Sequence, residues 1–255
     1  MVVAKLNERA AARRANRELD ATNRADYSEA LDRGLAVLTA FEHSDERLTQ
    51  AQLARKLDLP RATVRRSLLT LAHLGYLVAE DRAFRLAPKV LTLASAYLTT
   101  NPVSQVLQPE CDRLAEDFQA SCTVAVLDGP AAVMIARALP RRTLPIGQGI
   151  GFQVPADRSA LGLVLVAGLD ERRRASYPVP PAKVAEVAGR GYAYVANDVE
   201  AGFHSVAVPL RRWDGTTIAA LNVGVTIDRL PERDMIERVL PVLRETAERL
   251  QPQLL

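Results

Sequence analysis

Between Leu48 and Leu77 apolar residues recur at helical spacing in two runs, with a sharp break between them. Leu53, Ala54 and Leu57 share one face of the first run. Val64, Leu68 and Leu71, at i, i+4 and i+7, share one face of the second. Thr49, with Gln52 three residues on, has capping-box spacing at the start of the first helix. Asp58 and Leu59 interrupt the pattern, and Pro60 suits the first position of a new helix because no N–H is needed there. Gly75 ends that helix by tolerating positive φ. Arg61, Thr63, Arg65 and Arg66 stay off the apolar face of the second helix. Tyr76 to Leu86 then alternates about polar Glu80, Asp81 and Arg82, which predicts a two-stranded wing. A short helix, a tight turn, a basic second helix and a wing make a winged helix-turn-helix over residues 27–87.

The flanks are read the same way. Leu31, Leu35, Leu38 and Phe41 have helical spacing and predict a first helix packed under the motif. Residues 1–26 hold hardly any large apolar side chain and predict an extension that buries no core. Its mixed charges fit a frayed tail, or a basic arm reaching a minor groove. Val90, Leu91, Leu93, Ala94 and Leu98 predict a linker helix over 88–102, opened by Pro88, closed by Asn101-Pro102 and suited to dimer contacts.

From 103 to 255 the pattern alternates. A helix is expected from Val106 to Phe118, and strands from Cys122 to Leu127 and Ala131 to Ala138 around Asp128-Gly129-Pro130. A helix from Ser159 to Arg173 follows, then strands at Tyr192–Val195 and Ser205–Leu210. Asp214-Gly215 turns the chain into Thr217–Thr226, and a long amphipathic helix runs from Pro231 to Leu250. The predicted class is α+β: an N-terminal winged helix-turn-helix, a linker helix and a sheet domain covered by helices.

Charge sharpens the picture locally. The chain carries a net charge of +3 over 255 residues, yet between Arg47 and Lys89 nine Lys/Arg face three Asp/Glu. A basic patch confined to the motif is the footprint of a phosphate-gripping surface. Hydrophobic content of 48% and charged content of 25% fit two modest soluble domains. The longest apolar run, Ala160 to Leu169, falls short of the roughly 18–20 residues needed to cross a bilayer, so no membrane is expected. Cys111 and Cys122 have neither metal-ligand spacing nor a disulfide framework, which predicts reduced thiols and a cytoplasmic protein.

Catalytic chemistry is weakly represented. His43, His73 and His204 fall in separate elements, and no GxSxG elbow, P-loop or HExxH occurs. Ser159 and Ser205 have no base near them in sequence, so no enzyme, cofactor or metal is expected. A Ser205–His204 pair would be the mark of the enzymatic alternative; a winged-helix protein-interaction module is the other. The segment Gly147–Gly151 is glycine-rich and leads into the helix at Ser159, where free N–H groups and the helix dipole favour a small anion. Arg137, Arg141, Arg142 and Arg158 would add charge for a carboxylate. A plain connecting loop with Asp157 or Ser159 as N-cap accounts for the same residues equally well.

The sequence resembles the IclR family of bacterial transcription regulators over nearly all of its length from about Tyr27. The resemblance is carried by RGLAVLTAF from Arg33, LTQAQLARKLDLPRATVRRSLLTLAHLGYL from Leu48, GFQVPADRSALGLVLVAGL from Gly151 and RGYAYVANDVEAGFHSVAVPL from Arg190. IARALPRR from Ile135 and AALNVGV from Ala219 are most similar to the branch that controls aromatic-acid breakdown through the β-ketoadipate pathway. Gln153, Leu163, Val195 and His204 depart from the family pattern and lower the charge around the pocket it implies.

The resemblance implies a GAF-like effector domain, a homodimer or homotetramer, and a small organic or aromatic acid as ligand. Its effector contacts would fall on Ser159, Ala160, Leu161 and Ser205, to which the glycine-rich loop and the nearby charge add Gly151 and Arg137. DNA contacts to a pseudo-palindromic operator would fall on Thr49, Gln50, Arg61, Thr63, Arg65, Arg66, Arg82 and Arg85.

Overall fold

A computed structural model describes residues 27–41, 47–100, 102–140 and 149–254. The chain falls into two units, Met1–Ala96 and Tyr97–Leu255. The expectations placed on residues 1–26, His43, Arg141, Arg142 and Gly147 lie outside the described residues.

In the first unit, Ser28 caps helix α1 (Glu29–Leu38) by accepting a hydrogen bond from the Leu31 N–H. The face α1 buries is only half of the expected row. Leu31 and Leu35 are 62% and 52% exposed, whereas Ala36, Val37 and Ala40 are buried. These smaller side chains bring α1 close to the core of Leu53, Val64 and Leu68, and Leu38 and Phe41 pack against that core as their spacing predicts. A short strand β1 (Leu48–Thr49) leads into α2 (Gln50–Leu57), which starts on a complete Thr49–Gln52 capping box and ends on Asp58 in the left-handed region at φ 51°. Helix α3 (Arg61–His73) follows with Pro60 at its cap position. It closes in a Schellman arrangement, with the Gly75 and Tyr76 N–H groups bonded to the Ala72 and Leu71 carbonyls and Gly75 at φ +80°. The wing has three strands, β1 joining the hairpin β2 (Leu77–Glu80) and β3 (Ala83–Leu86) in the order β1-β3-β2. Helix α4 (Val90–Thr100) comes next and buries none of its residues.

The second unit is built on a six-stranded antiparallel sheet of β4 (Ser121–Asp128), β5 (Ala131–Ala138), β6 (Gln153–Pro155), β7 (Ala193–Ala196), β8 (Phe203–Arg211) and β9 (Thr217–Thr226), in the order β6-β5-β4-β9-β8-β7. Helix α5 (Pro102–Phe118) and a C-terminal helix cover one face through Leu107, Cys111, Leu114, Leu240, Leu243 and Leu250. Helix α6 (Ala160–Ala167), apolar all round, covers part of the other face against Ala125, Ala193, Ala207 and Ala220. A helix buried on every side cannot be told from a strand by periodicity; the local sign here is Ser159, which caps its first turn.

Three departures from the sequence expectation have local causes. The Ser159–Arg173 segment is two helices: the first ends at Gly168, which lies against Thr217 where a Cβ would come to 2.5 Å, and the chain restarts at a new cap. Asp170 then caps a new short helix, α7 (Glu171–Arg174). Helix α8 (Pro181–Arg190), which the sequence reading omitted, has proline at its start and Gly191 at φ +70° past its end. The C-terminal helix is not uniform: a turn at Glu232–Asp234 and a π-helical stretch, Met235–Val239, precede α9 (Leu240–Leu250). Pro241 lacks the N–H that an α-helical bond to residue 237 would need, and the backbone widens just before it.

Candidate DNA interface and effector site

The reader is assembled from interactions that free one side of α3. Thr49 and Gln52 satisfy each other: the Thr49 N–H donates to Gln52 Oε1 at 2.8 Å, and the Gln52 N–H donates to Thr49 Oγ1 at 3.3 Å. Gln50 Nε2 donates to the Arg61 carbonyl at 3.0 Å and ties the start of α2 to the start of α3. Both residues, expected at DNA, therefore have structural partners that hold the turn. Arg61, Arg65 and Arg66 are exposed, Thr63 is half-buried, and Val64 and Leu68 on the opposite side are fully buried. None of the three arginines has an ion-pair partner among the described residues.

The wing separates its two arginines. Asp81 and Arg82 form the hairpin tip with φ 46° and 72°, the two positive values a type I′ turn demands. Arg82 is exposed there. Arg85 is held by Glu80, its Nε donating to Oε1 at 2.9 Å, while Arg47 reaches the other carboxylate oxygen at 3.3 Å. Arg85 beside it holds the Glu80 carboxyl below the usual carboxylate range.

In the second unit, a bulge in β5 decides which way Arg137 faces. Ala125 pairs with Met134 and Val124 with Ala136, so Ile135 is an extra residue on β5. Ile135 and Ala136 both enter the core beneath α5, and Arg137 returns to the α6 side with Met134. One rung across that face reads Arg137, Thr123, Asn222, Ala207 and Ala193 on five successive strands. Ser205 stands on the next rung, paired with Gly224 and Val195. Thr123, Ser205 and Asn222 are buried, and Asn222, 9% exposed, has no hydrogen-bond partner for its Oδ1 among the described residues. Burial pushes the Arg137 guanidinium below the usual arginine range, a cost to its charged form that an anion would offset.

The remaining expected effector residues are arranged otherwise. Ser159 is the N-cap of α6: its hydroxyl accepts from the Gly162 N–H at 3.1 Å and donates to the Pro155 carbonyl at 2.6 Å. Ala160 and Leu161 are buried in the α6 core. Gly151 is exposed at φ +87°, and its N–H bonds the Met134 carbonyl at 2.8 Å instead of facing an anion. Arg158 is exposed. Of the residues expected at the acid, Arg137 and Ser205 share the sheet face with polar neighbours. Thr123 and Asn222 were missed by the sequence reading. A lone asparagine inside the otherwise apolar Ala219–Val225 strand was the available signal.

Ser205 and His204 are adjacent on β8 and point to opposite faces, so they cannot form a nucleophile–base pair. His204 is buried on the other side, where its Nδ1 meets the Tyr194 hydroxyl at 2.9 Å. No group of three His, Cys, Asp or Glu fit to hold a metal occurs among the described residues, and no helix among them is long and apolar enough to cross a membrane.

Comparison with known proteins decides the family. The IclR helix-turn-helix domain matches residues 30–81, and the C-terminal domain of the bacterial transcriptional regulator IclR matches 95–179 and 181–251. The chain belongs to the IclR family of bacterial transcriptional regulators. It is similar to the Pca regulon regulatory protein of Pseudomonas putida, at 33% identity over 87% of this chain and 82% of that protein. Among solved structures it is similar to a transcriptional regulator from Rhodococcus sp. RHA1, at 34% identity and a TM-score of 0.74, covering 88% of this chain and 97% of that one. The inducer-binding domain of the Acinetobacter transcription factor PobR, a double mutant in complex with 3-hydroxybenzoic acid, is 28% identical with a TM-score of 0.53 over 58% of this chain and 97% of that domain. As an IclR-family member the chain is a DNA-binding regulator with an effector-binding C-terminal domain, and not an enzyme.

Proposed function

We propose that α3 enters the major groove of a pseudo-palindromic operator, and that the α6 side of the second unit's sheet takes a small aromatic or other organic acid. The exposed, unpaired arginines of α3 carry the DNA reading. Arg61, Arg65 and Arg66 divide between base edges and phosphates, and Arg82 at the wing tip holds backbone. Thr49 and Gln50 act through their structural partners, and Arg85 contacts DNA only by leaving Glu80.

The acid reading rests on the rung that joins Arg137 to Asn222. Two strand spacings put their backbones roughly 10 Å apart, and the length of the arginine side chain brings that gap down to the size of a single-ring acid. A carboxylate at Arg137 and a ring hydroxyl at Asn222 fit the groups present. The PobR domain that holds 3-hydroxybenzoic acid, and the Pca regulator, favour the aromatic class in the β-ketoadipate branch. A homo-oligomer is also part of this reading, since two-fold DNA symmetry asks for two readers. Helix α4 exposes Leu91, Leu93 and Tyr97, and a second copy of the chain would cover them. Effector binding shifts the readers only by its differential affinity for their two placements.

A mobility-shift titration on DNA upstream of the chain's own gene, with and without 4-hydroxybenzoate, protocatechuate and β-ketoadipate, tests the function. The expected result is a specific shift that falls steeply with salt and changes with one of the acids. A shift that is absent, or flat in salt, overturns the DNA reading.

A further inference from the structure

Among the described residues, strand β5 has no strand on its outer side where it matters most. β6 pairs only with Ala131, Ala132 and Val133, and the loop at Gly151 and Phe152 then bonds Met134. Beyond the bulge, the outward N–H and C=O of Arg137 meet a side chain instead. Gln108 on α5 accepts from the Arg137 N–H through Oε1 at 3.1 Å and donates from Nε2 to the Arg137 carbonyl at 3.0 Å. Its second Nε2 hydrogen goes to Asp112 Oδ1 at 2.9 Å. The carboxamide thus copies the peptide group of a missing strand, and all three bonds fix which end is oxygen and which nitrogen.

We propose that Gln108 is a positioning residue for acid recognition: by clamping both backbone groups of Arg137, it fixes the point of the strand from which the guanidinium, its Nη1 3.3 Å from Met134 Sδ, reaches the α6 side. This rests on the reading that Arg137 takes the acid's carboxylate. The ladder to β4 is disturbed at the extra residue Ile135 and resumes at Ala136, so Gln108 secures the outer edge of the strand just beyond the disturbance. Only a side chain with a donor and an acceptor side by side, at glutamine's length, fills the role. Glutamate would set its carboxylate against the Arg137 carbonyl and Asp112. Leucine or methionine of similar volume would leave the two backbone groups without their partner.

A merely structural glutamine would affect every ligand alike; a positioning one affects the carboxylate. The full-length chain and its Gln108→Leu, Gln108→Met and Arg137→Met variants are titrated calorimetrically with 4-hydroxybenzoate, protocatechuate and the neutral 4-hydroxybenzamide, with thermal melts alongside. The expected result is a roughly tenfold loss of acid affinity in either Gln108 variant, about the worth of one good hydrogen bond, with the amide unchanged. In the Arg137→Met background, Gln108→Leu should then add nothing further to acid binding. Equal losses for acid and amide, a further loss in the Arg137→Met background, or no loss in the folded Gln108→Met protein overturns the proposal. Full acid affinity in Arg137→Met alone overturns the Arg137 reading itself, as does a wild-type chain that binds neither acid.

Discussion

Arg85 lies 2.9 Å from the Glu80 carboxylate across the wing hairpin, while Arg82 at the tip has no ion-pair partner among the described residues. Two arginines three residues apart are thereby unequal. Replacing Arg82 by Ala should weaken operator binding and lower the salt slope by about one, as loss of a single phosphate contact does. Arg85→Ala should change the slope less. Fluorescence anisotropy at several salt concentrations separates them, and equal slopes for the two variants would sink the distinction.

Arg82 also occupies a left-handed conformation that favours glycine. Arg82→Gly should therefore leave the melting temperature unchanged or raise it, by up to about 1 kcal/mol of stability, while DNA affinity falls. Thermal melts paired with the anisotropy measurement read both signs at once.

On α3, Arg65→Ala and Arg66→Ala should each weaken operator binding. Loss of a base contact would cost about 1–3 kcal/mol and relax specificity at one position of the site, whereas loss of a phosphate contact would weaken all sequences alike. Binding of both variants at wild-type strength to operator and scrambled DNA would remove α3 from the interface.

Gly162 packs on the Ala156 backbone, and a Cβ would sit 2.3 Å from the Ala156 Cα. Gly162→Ala should force α6 off the sheet and destabilise the second unit by roughly 1–3 kcal/mol. Urea unfolding checks this, and an unaltered midpoint would refute the close packing.

Burial holds the His204 imidazole below the usual value of 6.5, with the Leu230 carbonyl and Glu232 opposing that shift. A histidine with a lowered folded pKa contributes stability that is fully present above the unfolded value and is lost as pH falls beneath it. Melting temperature should decline from pH 7 to pH 5, and His204→Gln should flatten that decline.

Much of the reader was legible because each of its signals is local. Thr49, Gln52, Pro60 and Gly75 each announce a helix end through their own backbone chemistry, and Val64 and Leu68 announce the buried side. In α1, Leu38 and Phe41 meet the core as their spacing predicts, but Leu31 and Leu35 do not, because the tightness of the α1–α3 contact favours Val37 and Ala40. The effector floor was harder to read. Register brings Asn222 to the Thr123–Arg137 hairpin pair from a strand far along the chain, and the extra Ile135 breaks the alternation that would otherwise place Arg137. Ser159 was legible as an N-cap from the residues alone, and the structure shows that cap; its expected effector contact came from the family resemblance.

The bulge at Ile135 also bears on how this protein can change over evolutionary time. Straightening the strand at its present length would swing the cation into the oily layer beneath α5, whereas losing one amino acid between Met134 and Arg137 would leave it on its present side. A lineage could therefore shed the extra residue and keep the cation's outlook, but could not iron out the bulge without shortening the strand.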